Sequence, residues 1–467
     1  MKNWSPKNAL VHAALSTAVA GPMPVTLLRC TRVFLTMPTL QGSTDKAWRG
    51  AVPRTRRGRW CAHVACCALF LLGLGHGSAV AQTADGLRIG TIVVEGNSKT
   101  QTYLILAASE LSPGMVIDGA SLAQARQRIL NKRVFVDASV EAIPQGTTAE
   151  VRIVVKERWT LLPIPFVASS YGENRAGVFL MDTNLLGRMK TIAAGVTFSS
   201  RGTSFAGFYL DPSLMGTRWS TRASVLWASR RQERRAGSER FYAFHEDRTD
   251  LAASIGYQIF REVFVYVGGF YLQANPSRSG DFEAPSKVDD LGGASLELNL
   301  RMADYHSYFD EGLIVRAQHR QGFIGRSADQ SRAFVQFSHR TLGDQSFILT
   351  LQYLRAEGDR LVDAQRLGAL VGTRGFAPQG LWASQIGTAS LEYQIPVRHF
   401  SFGTWTANGF CDIGRFLWDG QTTNFMTPGL GTRFYLNNVA IPALGFDVAY
   451  SEYNGGFVTS FSLGLAI

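Results

Sequence analysis

The chain of 467 residues is short of cysteine, of charge and of long apolar runs, and each shortage closes a class of protein. Of five cysteines, four (Cys30, Cys61, Cys66, Cys67) fall within the first 81 residues, which leaves Cys411. One thiol builds neither a disulfide framework nor a cysteine-based metal site. Cys411 therefore reads as a small apolar strand residue, and no metal or cofactor is expected. Charged residues are only 18% of the chain. The net charge of +11 points at first to an acidic partner. Residues 1–81, however, hold three lysines and seven arginines against one aspartate, nine of those positive charges, and the remaining +2 argues against a nucleic-acid partner. Beyond the leader no stretch has the ~20 consecutive apolar residues of a membrane helix. Catalytic constellations are missing too. The one tight His–carboxylate cluster, Phe244-His245-Glu246-Asp247, is expected in a solvated outer loop with no second histidine near it, so no enzymatic activity is expected.

What is present begins with a leader. Arg54, Arg56, Arg57 and Arg59 precede an apolar run from Cys61 to Leu74, interrupted only by His63, and Ser78-Ala79-Val80-Ala81-Gln82 follows. A basic region, a short apolar core and an Ala-x-Ala end are the features of a secretory signal peptide, with cleavage after Ala81. The core is too short for a membrane anchor. The ~50 residues before Arg54 have no place in such a signal, which predicts a translation start further in.

Residues 82–157 are expected to form a small α/β unit. A strand over Leu87–Val94 ends at Glu95-Gly96-Asn97. A helix runs from Thr102 to Leu111 and stops before Pro113-Gly114. Ser121-x-x-Gln124 offers a capping box for a second helix with Leu122, Ala125, Ile129 and Leu130 on one side. Strands over Ala138–Ile143 and Ala149–Val155 turn at Gln145-Gly146.

From residue 158 to 467 only strands are legible, about sixteen of them. Ala389, Leu391, Tyr393, Ile395 and Val397 alternate with Ser390, Glu392, Gln394 and Pro396; Leu444, Phe446, Val448 and Tyr450 alternate with Gly445, Asp447 and Ala449. That period of two gives strands with one apolar and one polar face. An even number of such strands, each about ten residues, behind a signal peptide predicts an all-β transmembrane barrel of antiparallel strands. Turns such as Leu186-Gly187-Arg188 and Leu214-Met215-Gly216 are tight at one end. Longer connections near 232–246, 276–286 and 357–385 lie at the other, and one near 303–309 is longer than its tight-turn end predicts.

Several stretches, in order, resemble one family. The β-α-α-β-β unit with its Val94-Glu95-Gly96-Asn97 corner resembles a POTRA domain. Asp182-Thr183-Asn184-Leu185-Leu186-Gly187-Arg188, Asp211-Pro212-Ser213-Leu214-Met215-Gly216, Thr373-Arg374-Gly375-Phe376 and Phe410-Cys411-Asp412-Ile413-Gly414 are similar to successive motifs of the BamA/TamA superfamily, the bacterial surface antigen proteins. Thr373 stands where the family usually has Val or Ile, and one POTRA-like unit is read where the general assembly factor carries several. The resemblance implies an α+β POTRA-like domain in the periplasm followed by an outer-membrane barrel in contact with outer-membrane lipid. It implies a protein that receives an unfolded polypeptide client, or a lipid, and inserts or passes it. The alternative is a passive outer-membrane channel or structural surface protein, for which a POTRA-like domain has no use.

Arg374, Gly375 and Phe376 fall in a long loop between two strands, and Asp412 faces the lumen of a third. The residues alone leave open whether Arg374 and Asp412 pair or are separately solvated; the resemblance implies a pair, for which the rigid guanidinium fork is suited. Pro163 and Pro165, two residues apart in the first barrel strand, remove two N–H donors from one edge. Either that edge faces the last strand, Gly456–Ile467, making the closing seam weak, or the prolines lie in the linker below the membrane.

Overall fold

The computed structural model describes residues 86–170, 173–236, 239–280, 285–306, 308–436 and 442–463. The leader and its signal peptide, and Ile467, lie outside the described residues.

The N-terminal domain comprises β1 (Arg88–Glu95), α1 (Thr102–Ser109), α2 (Gly119–Leu130), β2 (Phe135–Gln145) and β3 (Thr148–Glu157). The sheet order is β1-β3-β2, with β1 parallel to β3 and β2 antiparallel to it. A parallel neighbour needs a crossover, which the two helices supply. Ile105, Leu122, Ala125 and Ile129 close over Ile89, Phe135, Val151 and Ile153 to make the core. Two details differ from the expectation. α1 ends at Ser109, because Glu110 takes a left-handed conformation (φ 58°) ahead of the proline. The capping box belongs to Asp118, whose carboxylate accepts from Ser121 N–H while the Ser121 side chain reaches back, since the aspartate stands directly before the first helical residue.

The rest is a closed barrel of sixteen antiparallel strands. Its first half is β4 (Leu161–Ser170), β5 (Glu173–Leu185), β6 (Lys190–Ser199), β7 (Gly202–Asp211), β8 (Trp219–Ala236), β9 (Glu239–Phe260), β10 (Val263–Arg278) and β11 (Leu291–Tyr305). After β12 (Asp310–Gly325), β13 (Ala328–Arg340) and β14 (Ser346–Glu357), a loop carries the short hairpin β15 (Gln365–Leu367) and β16 (Leu381–Ala383). The barrel resumes with β17 (Gln385–Phe400), β18 (Gly403–Trp418), β19 (Gln421–Leu436), β20 (Pro442–Ser451) and β21 (Gly456–Leu463). Its polarity is inverted relative to a water-soluble core: on β17, Leu391 is 46% exposed and Ser390 1%. Apolar side chains outside and polar ones inside are what lipid on one face and an aqueous lumen on the other select.

The connection expected near 232–246 is a correction. β8 and β9 continue as one long hairpin into that region, so Phe244-His245-Glu246-Asp247 lies within β9, and Glu246 is fully buried. Charge pairing across the lumen, described below, holds these polar extensions in strand form.

Candidate functional site

Three places concentrate buried polar chemistry: the loop in the lumen, the junction between the two domains, and the barrel's closing ladder.

The loop between β14 and β17 folds into the lumen because its own side chains seed its turns. Asp359 accepts from the N–H groups of Leu361 and Val362, and Asp363 is held by Arg326 (2.7 Å to Nη2). Trp382, fully buried on β16, packs edge-on to Phe244 and Trp418. The turn 372–376 then delivers Arg374 to β17 and β18. Arg374 is 2% exposed and Asp412 0%. Nε donates to Asp412 Oδ2 at 3.0 Å and Nη2 to Oδ1 at 2.7 Å, a bidentate pair, and the Arg374 backbone N–H donates to the same carboxylate at 3.1 Å. Nη1 reaches Glu392 at 2.6 Å, and Nη2 also reaches Ser390 Oγ at 2.8 Å. The guanidinium lies 3.5 Å from the centroid of the Phe410 ring. With its donors spent on two carboxylates and a hydroxyl, the cation is compensated, which a buried charge requires.

The neighbours explain the rest of the motif. A Cβ on Gly375 would stand 1.9 Å from Thr427 Cγ2, so only glycine lets the backbone approach β19 this closely. Phe376 enters a nest of Phe425 (centroids 4.8 Å), Tyr453 (5.1 Å) and Phe416 (6.4 Å). Thr373, in place of the usual aliphatic residue, is buried and satisfies its hydroxyl on the Leu370 carbonyl at 3.3 Å.

A second lock was missed in the sequence. Arg366 on β15 makes a bidentate pair with Glu246 on β9 (Nη2 to Oε1 3.1 Å), and Gln232 donates to the same carboxylate at 3.1 Å. The partners are 120 residues apart, and no local pattern connects them.

The junction uses the motif that begins at Asp182. Lys99 pairs with Asp182 at 3.0 Å, Asn184 Nδ2 donates to Thr100 Oγ1 at 2.8 Å, and the Gln101 N–H donates to the Gly187 carbonyl at 3.0 Å. Glu157, at the end of β3, gathers Ser98–Thr100 beneath this contact: it accepts from the N–H groups of Lys99 (2.9 Å) and Thr100 (2.6 Å) and from Ser98 Oγ (2.7 Å). Burial alone would raise its pKa, but the hydrogen bonds from Thr100, Ser98 and Lys99 outweigh it and lower the pKa to about 2. On the far side of the same mouth, Arg133 meets Asp310, Arg301 meets the same aspartate at 2.7 Å, and Asn131 bonds Asp304 at 2.8 Å. The extra length near 303–309 therefore docks the N-terminal domain. That loop also sends Tyr308 to pack at a tilt against Tyr435 (ring centroids 5.5 Å apart).

Among the described residues, the closing ladder joins β4 to β21 through Val167–Leu463, Ala168–Ser462, Ser169–Phe461 and Ser170–Ser460. Pro163 and Pro165 sit inside β4, opposite Leu180 and Val178 of β5, rather than in a linker. Thr183 N–H donates to the Thr160 carbonyl, so by alternation the even positions of β4 direct their backbone groups to β5. The nitrogens of Pro163 and Pro165 therefore face the β21 side. Ile164 and Phe166 turn inward and join Leu162 and Phe179 in an apolar cluster.

Comparison with known proteins fits this architecture. Residues 87–158 match the POTRA family, described as surface antigen variable number repeat. The outer membrane protein assembly factor BamA of Nitratidesulfovibrio vulgaris is 28% identical over 127 residues, 27% of this chain and 16% of that protein's length. The crystal structure of BamA from Haemophilus ducreyi lacking POTRA domains 1-3 has a TM-score of 0.51 at 13% identity, covering 81% of this chain and 85% of that one. CdiB from Acinetobacter baumannii has a TM-score of 0.54 at 15% identity, covering 81% and 74%. At such identities the structural likeness is one of fold. A POTRA domain matched by sequence over residues 87–158 is thus followed by a closed sixteen-stranded barrel, and the fold of the chain is similar to those of BamA and CdiB.

Proposed function

We propose that this protein takes up an unfolded polypeptide in the periplasm on its POTRA domain and inserts it into the outer membrane, or passes it across, by way of the barrel. The observation that carries the reading is the docking of a polypeptide-handling module, by hydrogen bonds and ion pairs on two sides, onto the mouth of a closed barrel. β2 pairs only with β3 among the described strands, so it offers an open edge where a client strand adds by main-chain hydrogen bonds. The β4–β21 seam is the place where the barrel opens. Two prolines facing β21 withhold two donors, and each missing bond, worth about 0.5–1.5 kcal/mol in water, costs more where lipid replaces water. The Arg374–Asp412 latch holds the luminal loop while the seam works.

The test is a disulfide across the seam. Ala168 and Ser462 form a non-hydrogen-bonded pair by the alternation above, the geometry in which Cα atoms stand ~4.5 Å apart and a disulfide closes without strain. The variant Ala168→Cys with Ser462→Cys should insert normally and, when oxidised, lose the deletion-rescuing activity scored by the outer-membrane proteome; reduction should restore it. Full activity in a quantitatively cross-linked barrel removes the seam from the mechanism. A deletion that leaves the outer-membrane proteome unchanged removes the polypeptide client.

A further inference from the structure

In the lumen, between the inner faces of β7 to β12, lies a cavity of about 490 Å³ whose two walls differ in chemistry. One wall carries arginine. Arg222 is paired with Glu297 (2.6 Å), Arg301 with Asp310 (2.7 Å) and Arg320 with Asp250 (3.1 Å). Arg316, among them on β12, has no hydrogen bond or ion pair with any described residue; its guanidinium only overlies the Phe334 ring at 5.8 Å. Arg332 on β13 stands opposite Gln318, a cavity-lining residue, and is likewise unpaired among the described residues. The other wall is apolar: Phe208 and Leu210 of β7 line it, and Phe208 is 45% exposed although it points into the lumen.

We propose that this cavity binds an anionic amphiphile, a phosphate-bearing lipid whose headgroup sits on Arg316 and Arg332 and whose acyl chain lies against Phe208 and Leu210. A guanidinium is a rigid fork of donors with no acceptor, matched to a phosphate, and Arg316 on the lining, with Arg332 next to it on β13, adds unpaired positive charge to three paired arginines. Its size falls in the ~300–1,000 Å³ range of ligand sites. A free phosphate would satisfy the arginines but not the exposed apolar wall, and barrel lumens are otherwise polar. An acidic polypeptide is disfavoured by the same wall. The backbone groups of β7 are engaged in ladders with β6 and β8, so an inserted peptide would leave its amides unpaired, whereas an acyl chain has none. The inference needs no assembly activity, and its test can fail without touching the function proposed above.

The experiment is native mass spectrometry of the full-length barrel, released from detergent and titrated with phosphatidylglycerol, with phosphatidylcholine lacking net charge, and with inorganic phosphate. Wild type should retain phosphatidylglycerol over phosphatidylcholine, and millimolar inorganic phosphate should not displace it. Arg316→Gln should lower retention about tenfold, the loss of one charge-assisted contact. Phe208→Ser should lower it while leaving phosphate binding alone. Heat-modifiable migration confirms that each variant is a folded barrel, and Arg332→Gln provides a second reading if Arg316→Gln does not fold. Retention unchanged in both arginine variants overturns the proposal. So does full displacement by inorganic phosphate, or a photo-reactive residue at Leu226, on the same luminal face, that captures polypeptide instead of lipid.

Discussion

Removing the Asp412 carboxylate should release one segment of the luminal loop and leave the barrel standing. Asp412 accepts four hydrogen bonds, three from Arg374 and one from Ser390 Oγ at 2.7 Å, and is fully buried. In Asp412→Ala the guanidinium keeps Glu392 and Ser390 but loses its bidentate partner and the anchor of its backbone N–H. Breaking a buried pair by removing one member costs about 3–5 kcal/mol. The restraints that survive lie on either side: Arg366–Glu246 and Arg326–Asp363 before the turn, Trp382 after it. Burial of Phe376 contributes about 1.5–3 kcal/mol, less than the cost imposed, so residues 368–378 should leave their site while the hairpin of β15 and β16 stays. Hydrogen exchange read by mass spectrometry in that window is the assay, with heat-modifiable migration as the check on the barrel. Arg374→Ala should give a slightly larger loss, since it also strands Glu392, and the double variant should be little worse than either single one, a coupling nearly as large as one single loss, about 3–5 kcal/mol. Unchanged exchange over 368–378 in Asp412→Ala, or fully additive losses in the cycle, would refute the latch.

Gly375→Ala should loosen the same segment without touching a charge, because its Cβ would overlap Thr427 Cγ2, and adding Thr427→Ser should recover part of the protection by deleting that methyl. Glu246→Gln should raise exchange in 365–367 and 381–383 and spare residue 374, since it weakens only the Arg366 lock; loss at Arg374 as well would mean that the two locks are one cooperative unit. Glu157 has its folded pKa near 2, below the ordinary value of 4.5, so its contribution is whole above about pH 4.5 and is lost as pH falls toward 2. Protection of Ser98–Thr100 should follow that window in the wild type, and Glu157→Gln should lack it already at pH 7; a transition in the wild type near pH 6 would assign the junction to another group.

The parts of this molecule that were readable in sequence are those where one environment acts on every second residue. Lipid does so along Leu391, Tyr393, Ile395 and Val397, and the sixteen strands of the barrel follow from that alternation. Beyond the membrane the constraint ends. β8 and β9 run on through Arg230, Gln232, Glu233 and Glu246, and with polar residues there the hairpin looks like a solvated loop. What keeps it extended is pairing at a distance: Arg230 with Glu173 at 2.6 Å, Glu246 with Arg366. The 303–309 connection was conspicuous only for its length, and its reason, Asp304 and Asp310 receiving Asn131 and Arg133, lies in another domain.

The lumen sharpens the same difficulty. In a soluble protein a buried charge is rare and draws the eye; inside this barrel buried charge is ordinary, and Glu173, Glu246 and Asp412 are all fully covered. Polarity therefore cannot separate the residues of the latch from those that merely hold strands together. What separates them is the combination at one turn: a cation using both edges of its fork on Asp412, a glycine whose missing Cβ lets the chain touch Thr427, and an aromatic ring in a nest of three others. Each element is common alone. Their adjacency at Arg374-Gly375-Phe376 compels one seat for the loop, because shifting the turn by a single residue would set Thr373 against the carboxylate, Arg374 against Thr427 and Gly375 in the aromatic nest, leaving a charge buried without its partner.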